Sequence, residues 1–368
     1  MAHTTPTVIT IGIAGLGRRG MHHLERLSFR EDFQVIAVHD AVHSRARDAK
    51  HLCARFLSSR REFFADRTFD AALIATPPRT REGFVREATA AGKHVAVESP
   101  PGDGGRDAKA MVEAARRAGR MVAILPASRF DPDFPTVRSV VSSGCLGRVL
   151  AAKRILWGRR VPSEASTRGE AGPHPLEAPE HETTGRRETP ESGCEVDDDA
   201  RGVFPPVLLE PVTVCLEELL DLIREPICSV FATHSGGLSG GLFTQARSIA
   251  IRLGFLSGAT AEIDVDVDSL VPLRTGWVIS GSDGGYRKLR RYERSRAQEI
   301  FDIPVEPIEN DSDRIYDDLA KLLREEAVDE SFSAGGWQVV RLLEAARWSA
   351  ETRKVVTLEA VTRWPDVW

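Results

Sequence analysis

Short, nearly unbroken apolar runs alternate with amphipathic stretches over the first third of the chain. VITIGIAG (8–15), FQVIAVHD (33–40), FDAALIAT (69–76), HVAVES (94–99) and MVAIL (121–125) each read as strands buried on both faces. Between them, apolar spacing predicts helices over residues 18–27, 44–57, 80–91 and 105–118. Gly92 and Gly119 follow two of these helices, where a left-handed C-terminal cap favours glycine. Apolar strands separated by helices predict a parallel sheet covered on both sides. The expectation is an α/β, doubly wound Rossmann domain over residues 1–126.

The pattern changes after residue 126. VLAAKRILWG (149–158) and GATAEIDVDVD (258–268) alternate as strands with one wet face do, which predicts a mixed or antiparallel sheet. LEELLDLI (216–223) and QVVRLLEAARWSAETR (338–353) have helical apolar spacing. Residues 127–368 therefore read as a second, α+β domain. Within it, residues 161–201 are rich in Pro, Glu, Gly, Arg and Ser without periodicity, which predicts a mobile surface loop.

A chain of 368 residues suits two domains at roughly 150 residues each. Its net charge of −5 and the absence of a basic block argue against nucleic-acid binding. No run reaches the roughly 18 apolar residues of a membrane span, and the N-terminus lacks the features of a secretory signal. The five cysteines are widely spaced, without a C-x-x-C pair, which predicts reduced thiols, a cytoplasmic location and no metal site.

Directly after the first strand comes Gly15-Leu16-Gly17-Arg18-Arg19-Gly20, with Gly12 three residues before it. Such a G-x-G-x-x-G turn lets backbone N–H groups and the positive helix end hold a pyrophosphate. A tight structural turn without ligand is the competing reading, but the strand before it and the helix after it favour dinucleotide binding. Gly12, Gly15, Leu16, Gly17 and Arg18 are the predicted contacts. Asp40, at the end of the second strand, is placed to accept hydrogen bonds from an adenosine ribose. Its charge favours NAD over NADP, because a 2′-phosphate would meet it; Arg45 and Arg47 either soften that repulsion or lie on a solvated face.

ATPPRTREGFVREATAAGKHVAVESP (75–100), RFDPDF (129–134), SSGCLGRV (142–149) and LLEAARWSAETRKVVTL (342–358) together resemble the Gfo/Idh/MocA oxidoreductases. The resemblance implies NAD(P)-dependent oxidation or reduction of sugars, inositols and related hydroxy compounds. It also implies cofactor contacts from Thr76, Pro77 and Glu98. Assembly through the second-domain sheet into a homodimer or homotetramer is expected as well. The family's Glu-Lys-Pro stands here as Glu98-Ser99-Pro100, so a neutral hydroxyl replaces a charged lysine. Aligning residues 202–220 places Pro206 at the family's aspartate and Glu210 at its histidine, and Arg81 replaces a further histidine.

The substituted positions leave a set of candidates. Glu210 is either a general acid or base, or the acidic residue of a helix N-terminus preceding Pro211. Ser99 and Lys153 are the other catalytic candidates, Lys153 as a stand-in for the missing lysine or as a solvated strand residue. Arg129 either clamps a substrate anion or forms an interdomain salt bridge. His234 is either an acid/base group or an incidental loop residue, and Trp157 and Trp277 line a pocket or fill the core. The function is read as hydride transfer between NAD(H) and a small hydroxy, carbonyl or imine compound. The alternative is a cofactor-binding protein of the same fold without redox chemistry.

Overall fold

Six parallel strands form the first sheet, in the order β3-β2-β1-β4-β5-β6. They are β1 (Ile9–Ala14), β2 (Phe33–His39), β3 (Arg55–Phe56), β4 (Ala71–Ile74), β5 (His94–Glu98) and β6 (Val122–Leu125). The computed structural model describes residues 8–49, 52, 54–102, 104–158, 204–236, 246–269, 274–287, 290–294, 300–308, 313–324 and 331–358, so the loop expected at 161–201 lies outside the described residues. The order is that of a Rossmann sheet, whose strand order reverses between β1 and β4. Apolar side chains pack on both of its faces, Ile11, Ile13 and Leu73 on one and Ala14, Ala72 and Ile74 on the other.

Helices α1 (Arg18–Ser28), α2 (Ala46–Ala49), α3 (Arg60–Ala65), α4 (Pro78–Ala90) and α5 (Gly105–Ala118) connect these strands. The helix expected over 44–57 is much shorter. A 3-10 turn at His43–Arg45 leads into α2, and Arg55 and Phe56 form the edge strand β3 beside Ala37 and Val38. Pairing with β2 there overrides the helical propensity of the local sequence.

After a 3-10 turn (Ala127–Phe130) and α6 (Phe134–Ser142) comes a mixed sheet in the order β14-β13-β12-β11-β7-β10-β9-β8-β15. Its strands are β7 (Val149–Trp157), β8 (Ile227–Gly236), β9 (Ala246–Phe255), β10 (Thr260–Asp266), β11 (Arg274–Gly281), β12 (Gly284–Arg287), β13 (Arg290–Arg294), β14 (Ile300–Pro304) and β15 (Val356–Thr357). β7 and β10 are parallel; the other pairs are antiparallel. One cross-strand row (Trp277, Arg154, Ile263, Ile251 and Ala232) is buried beneath α7 (Pro206–Leu222) and α9 (Ser331–Thr352). The next row (Val278, Lys153, Glu262, Arg252 and Phe231) lies on the opposite face.

Two helices of the C-terminal region also return to the first sheet. Ile315, Tyr316, Leu319 and Ala320 of α8 (Arg314–Leu323) pack with Leu24, Leu27 and Phe33, while Trp337 and Val340 of α9 join the other face. Tyr316 thereby comes against α1, which proves important for the site.

Candidate functional site

The glycine turn between β1 and α1 is shaped by collisions that a side chain would cause. Gly15 has φ +93°, and a Cβ there would lie 2.8 Å from the Ala75 carbonyl carbon. A Cβ at Gly20 would collide with the Gly15 carbonyl oxygen. Gly17 is different: its missing side chain would point into open space at the start of α1, and no side chain caps that helix. A pyrophosphate needs such an opening beside unpaired helix N–H groups. Gly12 belongs to the core, because the rings of Phe69 and Phe63 occupy the space beside it.

Asp40 braces the turn. One carboxylate oxygen accepts the Leu16 N–H at 2.6 Å and an Arg45 N–H at 3.0 Å, and the other accepts the Val42 N–H at 2.7 Å. Arg45 thus pairs with the carboxylate that sequence reasoning assigned to the ribose.

At the C-terminal ends of β4 and β5, Arg81 ties two turns together. Its Nε donates to the Thr76 carbonyl at 2.7 Å, and its Nη1 donates to the carbonyls of Glu98 (2.8 Å) and Pro100. Pro77 occupies the N-cap position of α4. The hydroxyls of Thr76 and Ser99 are buried there without a hydrogen-bond partner among the described residues. Unpartnered buried hydroxyls at this edge of a Rossmann sheet are suited to a ligand's polar groups. With the opening at Gly17 and the carboxylate of Asp40, they fit a dinucleotide.

A bridge of charges crosses the same edge. Glu98 is fully buried, and its Oε2 accepts from Arg19 Nη1 at 2.6 Å. Its Oε1 pairs with His23 Nε2 at 2.5 Å, and His23 Nδ1 pairs with the Tyr316 hydroxyl at 2.8 Å. Arg19 Nη2 donates to Glu210 on α7, so one guanidinium joins the first sheet to the second-domain helix. Burial opposes the Arg19 charge, but Glu98 and Glu210 outweigh it and raise its pKa further above the ordinary arginine value. Arg18 Nη2 lies 4.0 Å from the Glu210 carboxylate, which is one-third exposed (34%).

Glu210 does not begin a helix. α7 starts at Pro206 and continues through Pro211, so Glu210 lies in its second turn. Pro211 removes one N–H from the ladder, and the dense burial of Leu208, Leu209, Val212, Cys215 and Leu216 holds the helix regardless. Pro206 is exposed at the first helical position.

Lys153 is placed away from this cleft. Its Nζ lies 3.5 Å from Glu262 and 3.9 Å from Asp264, on the sheet face opposite Arg154. Strand alternation decides this: Ala152 and Arg154 point inward, so Lys153 points outward. His234 is a strand residue rather than a loop residue; it lies half-buried on β8, opposite Ile249 of β9. Arg129 is in the 3-10 turn at Ala127–Phe130, and its side chain lies outside the described residues. Trp277 is core, within 6.2 Å of Phe134 between ring centroids, and Trp157 is half-buried. Sequence reasoning missed Arg19, His23 and Tyr316. Arg19 stands within the glycine motif itself, but nothing in the sequence links it to partners 79 and 191 residues away.

A doubly wound α/β domain with this turn has the architecture of a dinucleotide-binding fold. Residues 9–125 match the family described as an oxidoreductase family with an NAD-binding Rossmann fold (GFO_IDH_MocA). Inositol 2-dehydrogenase of Acidothermus cellulolyticus is 32% identical over 167 residues, 44% of this chain and 49% of that protein. Myo-inositol 2-dehydrogenase of Thermotoga maritima is 29% identical over 140 residues, 38% of this chain and 42% of that protein. The chain thus spans about half the length of the curated relatives it matches. An NAD-binding protein from Listeria innocua shares the fold over 95% of this chain and 96% of its own, with TM-score 0.72 and 20% identity. So does the WlbA dehydrogenase from Bordetella pertussis, solved with NADH and UDP-GlcNAcA, over 96% of this chain and 99% of its own, with TM-score 0.70 and 21% identity. Among the described residues, no helix is long and apolar enough to cross a membrane, and no group of three or more His, Cys, Asp or Glu could hold a metal ion.

Proposed function

We propose that the chain is an NAD-dependent oxidoreductase acting on a small polyhydroxylated compound, with Glu210 as its general base or acid. The observation that carries this reading is the placement of the Glu210 carboxylate: it is anchored by Arg19 beside the glycine turn yet partly open to solvent. NAD, when bound, supplies the hydride acceptor, and the residues that would hold it are Gly15, Leu16, Gly17, Arg18, Asp40, Thr76 and Pro77, while Glu98, fully buried with both carboxylate oxygens engaged, braces them from behind. Ser99 offers its buried hydroxyl to the cofactor or the substrate. Glu210 takes the proton of a reacting hydroxyl or returns it to a carbonyl oxygen. The inositol dehydrogenase relatives favour hydride chemistry on a sugar-like substrate over a non-redox role.

NAD is the proposed cofactor because Asp40 presents a carboxylate at the end of β2; its pairing with Arg45 narrows the preference over NADP. A cytoplasmic location and a homodimer or homotetramer complete the proposal. The outer row of the second sheet supports assembly, since Phe231 and Val278 are more than one-third exposed at its two ends. A monomeric mass by light scattering at micromolar concentration would contradict the assembly. The test of function is NADH formation, followed by absorbance, when the protein and NAD meet a panel of inositols and aldoses. Turnover of at least one of these supports the reading, and silence across the panel with tight NADH binding contradicts it.

A further inference from the structure

Position 99 carries a serine, so β5 brings no ammonium group to the cleft. A different cation reaches it from α1. Arg19 is only 16% exposed, with one end of its guanidinium on Glu98 and the other on Glu210. Behind Glu98, His23 and Tyr316 are sealed in the core. We propose, building on the function above, that Arg19 is a positioning residue that supplies the fixed positive charge of the active site and aims Glu210, leaving proton exchange to that carboxyl alone.

The chemistry of the guanidinium carries the inference. Its planar fork fixes two acceptors at once, whereas a lysine would place one mobile point charge. A guanidinium also keeps its proton at every working pH, and Glu98 and Glu210 reinforce that. An ammonium in the same place could lose its proton, and this site therefore differs in kind from one built on lysine. The geometry is anchored at one end and open at the other. Tyr316, His23 and Glu98 are buried, and the Glu210 carboxylate is one-third exposed with Arg18 as a further cationic neighbour. Among the described residues, the charged and titratable groups linked to Glu210 include Arg18 and Arg19 directly, and Glu98, His23 and Tyr316 through Arg19.

Two measurements on the full chain test the idea. The first is the pH profile of kcat/KM, on the substrate found by the panel, for the wild type, Arg19→Lys and Arg19→Gln. The wild type should lose activity only on the acid side. Arg19→Lys should keep most activity near neutrality but acquire an alkaline fall near pH ~10, where an ammonium deprotonates. Arg19→Gln should lose about 100-fold in kcat, with NADH affinity changed by less than about threefold. Profiles of identical shape in all three proteins would reduce Arg19 to a structural tie and overturn the proposal.

The second measurement does not need turnover. Carbon-13 NMR of glutamate-labelled protein, with Glu210→Gln assigning the signal, follows the Glu210 carboxyl directly. Removing the neighbouring positive charge in Arg19→Gln should raise the midpoint of its titration by about one pH unit or more. An unmoved midpoint refutes the role of Arg19 even if the enzyme turns over. A raised midpoint in a protein silent across the panel supports the arrangement and rejects the dehydrogenase reading instead.

Discussion

Arg19 and Arg154 each hold a pair of carboxyl groups, and the pairs differ in what lies beyond them. Arg19 joins Glu98 to Glu210, and Glu210 opens onto the cleft. Arg154, on β7, donates from Nε to Glu218 at 2.8 Å and from Nη2 to Asp131, and all three side chains are buried. Trp277 covers this second cluster, its ring centroid 5.1 Å from the Arg154 guanidinium carbon. Burial pushes Glu218 well above the ordinary carboxyl range; Arg154 opposes the shift and Asp131 adds to it. Burial likewise raises the Cys215 thiol, which makes it inert rather than nucleophilic.

The sealed cluster ties the segment after β6 to the sheet and to α7, and Glu217 adds to it by accepting the Ser128 N–H at 2.9 Å. The same helix carries Glu210 toward the cleft two turns earlier. A buried carboxyl with no route to solvent suits a structural role, and one with a third of its surface exposed beside a glycine turn suits the chemical role proposed for Glu210. Exposure, rather than the pairing itself, separates the two roles.

The largest expected effect is on the sealed side. Arg154→Met strands two buried carboxyls and should cost about 3–5 kcal/mol, lowering an apparent Tm by about 10 °C. A loss no larger than that of an exposed arginine would show that water reaches the cluster. On the cofactor side, Asp40→Ala removes the acceptor of Leu16 N–H and Val42 N–H and should weaken NAD binding by about 10–100-fold. Calorimetric titration with NAD and NADP reads this effect, and NAD should suffer more than NADP.

The sequence and the structure agree best where structure is local. The β1–α1 turn, Asp40 and the parallel strands were legible because adjacent residues determine them. The charge bridge was not, because Arg19, Glu98, Glu210 and Tyr316 come from four distant segments that only the tertiary fold unites. Lys153 and Arg154 make the point at closest range. They are neighbours in sequence, but strand alternation sends the lysine to the outer face and buries the arginine. The strand β3 escaped notice because two residues beside β2 carry too little pattern of their own. The sequence leaves open whether Glu210 sits at a helix N-terminus before Pro211; in the structure its helix begins four residues before it, at Pro206.

Glu218→Gln sharpens the contrast through pH. The raised folded-state pKa of Glu218 means its contribution to stability is fully present below its unfolded value of about 4.5 and declines as pH rises toward the folded value. Glutamine cannot ionise, so the variant should gain on the wild type as pH rises from 4 to 8, by about 1 kcal/mol in melts across that range. A gap that widens toward alkaline pH would mean that Glu218 is ionised and held by Arg154. Ser99→Lys should have the smallest effect: less than about a tenfold gain in turnover, since groups that act as a unit are not restored singly. Pro206 offers no side chain able to orient the introduced ammonium, and Glu98 and Glu210 are already held by Arg19. A gain of about two orders of magnitude, roughly 2.7 kcal/mol of barrier, would reveal a site still built for lysine.

The most direct measurement compares the wild type with Glu210→Gln in NADH formation on the substrate that the panel identifies. Glutamine keeps the size of the side chain and an acceptor for Arg19 but cannot exchange a proton. The expected result is a fall in kcat of about 100-fold or more, with NAD affinity and Tm close to the wild type. Turnover within about threefold of the wild type, less than 0.7 kcal/mol of barrier, would contradict a chemical role for Glu210.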